Sequence, residues 1–167
     1  MEKTVDLAAV GRVAKRVELK GVRLAELTAK CDPRTSGPSL VPSVDLECKL
    51  GEHDEKSIEV VCDYKFVAVS EEVEAIQSSV RYLLLYEISG SESPALDDMN
   101  EFARANGALH SWPFVRELLY GLTSRMGFPP YTLPVIHFNV TNPPKHKKKE
   151  STVAENAETT TKTEQNL

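Results

Sequence analysis

Ser111-Trp112-Pro113-Phe114-Val115-Arg116, running on to Arg125-Met126-Gly127-Phe128-Pro129-Pro130 and Leu133-Pro134, is the stretch on which the fold turns. Ser111 is placed to cap a helix by accepting from a free amide of the first turn, and Pro113 sits inside that turn, where its missing N–H costs nothing. Trp112, Val115, Leu119, Leu122 and Met126 recur at steps of three and four, which gathers them on one face. Gly127 can take the left-handed conformation that ends a helix, and Pro129-Pro130 cannot continue it. The pattern predicts a helix over 111–126 and a rigid apolar turn after it. Upstream, Ser93-Pro94 repeats the cap and proline, Leu96, Met99, Phe102 and Ala103 supply an apolar side, and Gly107 closes the segment. A shorter, separate helix is predicted there.

Four earlier segments read as strands. Val44, Leu46, Cys48 and Leu50 alternate with Asp45, Glu47 and Lys49, the mark of a sheet packed on one side and wet on the other. Residues 58–69 put Ile58, Val60, Cys62, Tyr64 and Phe66 on one face, until Val67 and Val69 make the far end apolar on both faces. In residues 76–88, Val80, Tyr82, Leu84, Tyr86 and Ile88 face one way, while Leu83 and Leu85 face the other. Residues 17–29 place Val17 and Leu19, then Val22 and Leu24, offset across Gly21, which predicts a bulge in an extended segment.

The connections Gly51–Lys56 and Val69–Glu74 are short enough to join adjacent antiparallel strands, whereas Asp32–Pro42, with three prolines and a glycine, makes a longer excursion. Strands first and helices after predict an α+β fold: a four-stranded antiparallel meander with helices packed on one face, since no helical crossover is available for a parallel sheet. A two-layer domain of this size leaves one sheet face outside, so the doubly apolar strand ends point to an interface or a binding groove.

Before the strands, residues 5–17 suit an amphipathic helix through Leu7, Val10, Val13, Ala14 and Val17, expected to pack on its own domain. After Phe138 aromatics and periodicity vanish, and Lys145-His146-Lys147-Lys148-Lys149 leads into a polar end, which predicts a disordered tail. The expected organisation is an N-terminal helical extension over 1–14, one domain over 15–138 and the tail over 139–167. Removing the tail's five Lys and four Glu from the chain's 20 basic and 25 acidic residues leaves 15 and 21, a balance that disfavours nucleic acid as the partner.

Composition narrows the class further. With 167 residues, 41% of them hydrophobic and 27% charged, the chain is ordinary globular material for one core. No apolar run approaches the roughly 20 residues that cross a bilayer, and no export signal opens the sequence, so a cytoplasmic protein without stable membrane insertion is expected. Cys31, Cys48 and Cys62 are odd in number and form no Cys-x-x-Cys pair, which predicts reduced, mostly buried thiols and no zinc site.

Candidates for chemistry are absent. His110 adjoins Ser111, but sequence neighbours at a helix start point in different directions and make no nucleophile–base pair. Glu71, Glu72 and Glu74 lie in a turn without the spaced oxygen donors and glycine of a calcium loop. There is no Gly-rich phosphate loop and no zinc-type histidine spacing, so neither catalytic residues, a metal nor a cofactor is expected.

The strand series ending Tyr86-Glu87-Ile88-Ser89-Gly90, the Trp112-Pro113-Phe114-Val115-Arg116 opening and the turn from Arg125 to Pro134 resemble the SecB-type protein-export chaperones over about residues 15–138. The resemblance implies a homotetramer, built as a dimer of dimers, whose apolar grooves bind unfolded polypeptide clients and pass them to the SecA motor for translocation. Members that dock on SecA carry acidic side chains on the first and fourth strands, where this sequence has Gly21, Ala25 and Ser79. That departure and the N-terminal helix are similar to the SecB-like chaperones that attend toxin–antitoxin pairs, whose client is an antitoxin. A holding surface has to be broad, apolar and tolerant of sequence, and Tyr82, Leu84, Tyr86, Trp112, Phe128 and Tyr131 are the residues expected to line it. The alternative class is a non-catalytic adaptor subunit that uses the same sheet to pair with one folded partner.

Overall fold

The computed structural model describes residues 5–32, 34–35, 40–71, 73–90 and 92–136; the tail expected from residue 139 lies outside them. The elements are α1 (Leu7–Ala14), β1 (Val17–Cys31), β2 (Val41–His53), β3 (Ser57–Ser70), β4 (Val73–Ile88) and α2 (Leu96–Arg125). The strands form a single antiparallel sheet in the order β1-β4-β3-β2. The meander holds for β2, β3 and β4. β1 lies against β4 rather than β2, so β1 and β2 stand at opposite edges of the sheet. The physical reason is visible in the residues: β3 and β4 are the strands with apolar side chains on both faces, so they occupy the centre, and the more polar β1 and β2 take the edges.

β1 departs from a regular ladder twice, between Leu19 and Gly21 as the offset predicts, and again between Leu24 and Glu26. On the inner face, Ile58, Val60, Cys62, Tyr64 and Phe66 of β3 and Val80, Tyr82, Leu84, Tyr86 and Ile88 of β4 are buried beneath α2. Val115 and Leu119 of α2 are wholly enclosed there, each worth about 1.5–3 kcal/mol relative to exposure.

The sequence predicts two helices between 93 and 126; the structure has one of 30 residues. Gly107 does not end a helix. It lets α2 settle onto the sheet, because a Cβ there would stand 2.7 Å from Val60 Cγ1 and 2.9 Å from Cys62 Sγ. Ser111 caps nothing: it is buried, and its hydroxyl donates to the Gly107 carbonyl at 2.6 Å. Pro113 lies inside the helix, and both it and Leu109, whose carbonyl it leaves unpaired, lie on the exposed flank where water can take the acceptor. The start is also displaced. Ala95 is the N-cap, without a side-chain bond, and Asp97 and Asp98 complement the dipole of the first turn. The stop is as predicted: Gly127 has φ +83, and the amides of Gly127 and Phe128 donate back to Ser124 and Thr123.

Cys48 and Cys62 correct the expectation of reduced thiols. They face each other across β2 and β3 with Cα atoms 4.3 Å apart and are disulfide-bonded, whereas Cys31 is free and exposed. α1 is shorter than its sequence pattern. The Asp6 carboxylate accepts from Ala8 N and Ala9 N, Ala9, Val10 and Val13 are buried, and Arg12 grips Asp98 of α2 through two bonds of 2.7 and 2.6 Å.

Candidate functional site

The chain after α2 supplies the site. Pro129-Pro130 forbids helix, so residues 128–136 run as an extended segment back along α2. Four anchors hold it. Phe128 and Leu133 are buried. Tyr131 N donates to Thr123 Oγ1 at 2.9 Å, and Trp112 Nε1 donates to the Pro134 carbonyl at 2.9 Å. Thr123 is itself fixed, since its hydroxyl donates to Leu119 O at 2.9 Å. The Tyr131 ring stacks on Phe66 of β3, with centroids 5.4 Å apart.

This segment separates two hollows. The larger, about 390 Å3, is lined by Trp112, Pro113, Arg116, Glu117 and Tyr120 of α2 and by Thr132. The smaller, about 150 Å3, lies between Leu40, Pro42, Phe66 and Ala68 on one side and Pro129, Pro130 and Tyr131 on the other. The first falls within the size range of small-ligand sites, roughly 300–1,000 Å3, and the second suits a single side chain. The walls of the smaller are aliphatic, proline and aromatic side chains, whereas the larger sets Trp112, Pro113 and Tyr120 beside Arg116, Glu117 and Thr132.

Of the six residues expected to line a groove, the structure brings two to a hollow: Trp112 to the larger and Tyr131 to the smaller, both half-buried. Phe128 is buried as an anchor of the segment. Tyr82, Leu84 and Tyr86 are 5%, 0% and 1% exposed. They belong to the core, because α2 covers the face of β4 on which they stand. Tyr82 meets Tyr64 and Phe114, while Tyr86 meets Phe102 and lies 2.8 Å from His110 Nδ1 through its hydroxyl. Tyr120, 52% exposed, and Pro113 also line the larger hollow and were not among the six. Their signal was present: positions 113, 116, 117 and 120 repeat at helical spacing on the side away from the buried stripe.

A second apolar surface follows from the edge position of β1. α2 lies over β2, β3 and β4, so the helix-side residues Leu24 and Leu27 of β1 remain 42% and 43% exposed, with Leu19 and, on α2 beside Tyr82, Phe114 also open. On the opposite sheet face Leu85 is exposed beside Gly21, and Arg81 bridges Asp63 at 2.7 Å and Glu26 at 3.1 Å.

Burial pushes the Tyr64 hydroxyl up to about 12 and Tyr86 higher still, and lowers His110 below its ordinary value. The tyrosines therefore stay neutral, and the part-buried Tyr86–His110 pair favours an uncharged imidazole. Among the described residues no group of three or more His, Cys, Asp or Glu is arranged to hold a metal ion. What the surface offers is apolar area beside a few polar groups, suited to binding an extended chain.

No family model matches the chain. It is 28% identical over 116 residues to the protein-export protein SecB of Anaplasma phagocytophilum, a match spanning 68% of this chain and 73% of that protein. Its fold is that of a Mycobacterium tuberculosis SecB-like chaperone, solved in complex with a ChAD peptide from an antitoxin. The superposition has a TM-score of 0.72 at 20% identity and covers 79% of this chain and all of that one.

Proposed function

We propose that this chain, SecB-type in sequence and fold, is a chaperone that holds non-native polypeptides on apolar surface left open after folding, keeping them competent for translocation. The observation that carries the reading is the return segment of residues 128–136, which leaves an apolar hollow on each flank where a simple helix end would have closed the layer. Tyr120, Pro113 and Trp112 on one side, and Tyr131 with Pro42 on the other, are the surfaces a client's apolar side chains would use. Chemistry plays no part in this reading.

The assembly we propose is a homotetramer in the cytoplasm. Leu19, Leu24 and Leu27 support it, since an edge strand with its helix-side leucines uncovered is stabilised by a second copy. No helix among the described residues is long and apolar enough to cross a membrane. A dedicated client, an antitoxin, is the second reading. It is favoured by the peptide bound in the solved neighbour and by Gly21, Ala25 and Ser79 standing where SecA-docking members carry acids.

The test is native mass and light scattering with a reduced, permanently unfolded protein. The chain should bind it and suppress its aggregation, and Tyr120→Ser with Tyr131→Ser should weaken binding about tenfold, or 1.4 kcal/mol, at unchanged oligomer mass. An adaptor for a folded partner would leave the aggregation as it was.

A further inference from the structure

Cys48 is the one residue of β2 that is buried; Val44, Leu46 and Leu50, on the same face, are only half covered. Its partner Cys62 stands opposite in β3 and is wholly enclosed. α2 comes down onto the sheet at this pair. A Cβ on Gly107 would stand 2.9 Å from Cys62 Sγ and 3.0 Å from Cys48 Cβ, so the bare backbone of Gly107 is what makes room for the sulfurs. Little volume is left above them. Breaking the disulfide moves its sulfurs from about 2.05 Å to van der Waals contact, roughly 3.5–4 Å, in an interior that is already close-packed. β3 is pinned between β2 and β4, whereas β2 has a neighbour on one side only, so β2 and the helix above it give way.

We propose that Cys48 and Cys62 form a reversible oxidation site: the disulfide seats α2 on the sheet, and its reduction lifts α2 and enlarges the apolar area open to a client. This rests on the chaperone reading and on the cytoplasmic setting proposed with it, where thiols are kept reduced and a disulfide acts as a sensor rather than a permanent staple. The oxidant is hydrogen peroxide. The Cys48 thiolate attacks one peroxide oxygen, the O–O bond breaks, and a sulfenic acid forms as hydroxide leaves; the Cys62 thiolate then displaces hydroxide from that sulfur, closing the S–S bond. Small thiols reverse it. One attacks the Cys48 sulfur and frees the Cys62 thiolate, a second attacks the small-molecule sulfur of the mixed disulfide, and the small disulfide departs while the cysteines take up the thiol protons. Cys48 is the point of entry, because it is 8% exposed on an edge strand and Cys62 is not exposed at all.

Trp112, the chain's single tryptophan, lies on α2 just beyond Gly107, with Nε1 donating to the Pro134 carbonyl, and reports the seat of the helix. The full chain carrying Cys31→Ser, so that the exposed thiol takes no part, is compared before and after a dithiol is added. Reduction should move the Trp112 emission to longer wavelength and quicken exchange of the Ala108 and Ser111 amides about tenfold. A cysteine-free, permanently unfolded protein should be held about tenfold more tightly by the reduced form. Hydrogen peroxide, once the dithiol is removed, should reverse all three. Cys48→Ala has neither the bond nor the second sulfur, so it should keep the emission of the oxidised chain and ignore both reagents. Should that variant not fold, the emission and exchange of the two forms of its parent still decide. Unchanged emission on reduction, thiols that stay free after peroxide, Cys48→Ala emitting like the reduced parent, or equal measurable holding by both forms overturns the proposal and leaves the chaperone reading standing. Holding by neither form removes that reading, while emission and exchange still decide the oxidation site.

Discussion

The hydroxyl of Tyr64 lies 2.6 Å from Ser111 Oγ in the closed interior between β3 and α2. Ser111 commits its proton to the Gly107 carbonyl, so Tyr64 is the donor and the serine oxygen the acceptor. This chain of hydrogen bonds satisfies both buried hydroxyls one turn before Pro113, where α2 has already lost a backbone bond. Ser111→Ala strands the phenol without a partner and should cost about 1–3 kcal/mol, whereas Tyr64→Phe leaves Ser111 bonded and should cost about 0.5–1.5 kcal/mol. Urea denaturation of both and of the double variant checks this: the double should be less damaged than the sum of the singles.

Gly107→Ala drives a methyl group against Val60 and Cys62 and should destabilise by about 1–3 kcal/mol, whatever alanine's advantage as a helix former. Gly11→Ala in α1, where a Cβ meets nothing within 4 Å, should instead stabilise by about 0.4–1 kcal/mol. Thermal melts that move in the same direction for both would contradict the close approach of α2.

Burial beside Tyr86 lowers His110 below its ordinary 6.5. As pH falls, the unfolded chain takes up this proton before the folded one. The stability His110 contributes is therefore complete above about pH 6.5 and is lost as pH drops through the lower, folded value. Asp98 behaves likewise in a more acid window: its hydrogen bond with Arg12 depresses its carboxyl below 3.8, so its contribution is present above that pH and disappears beneath it. Denaturation midpoints between pH 8 and pH 3 check both. His110→Gln should flatten the first decline and Asp98→Asn the second.

Unreduced, denatured protein should take up a single thiol label, at Cys31, and two more after reduction. Closing the short loop between Cys48 and Cys62 should contribute about 3 kcal/mol, read as the drop in unfolding free energy when a reductant is added. Three labels before reduction would remove the cross-strand link.

Much of the fold is legible in the residues because local patterns fix it. Alternation set the four strands, with ends close to those observed, and the bulge at Gly21 followed from a break in that alternation. Gly107 was misread for a physical reason: a helical glycine has the same local signature whether it ends a helix or makes room for a neighbouring sheet. The second bulge near Ala25 left no trace, since alanine fits a regular ladder as well as an irregular one. The disulfide was equally hidden. It depends on the register of β2 on β3, and spacing between cysteines says nothing of register.

For the exposed apolar surface, the sequence by itself determined that apolar area exceeds what one layer of helix can cover, and that the helix must stop at Gly127 before a rigid apolar turn. Only the tertiary structure decided which apolar residues are spent on the core. Tyr82, Leu84 and Tyr86 share their pattern with any strand face in search of cover, and α2 took that face, leaving Trp112, Tyr120, Tyr131 and the leucines of β1 open. Burial is a relation between elements distant in sequence, and periodicity records only that a face is apolar, never what comes to lie upon it.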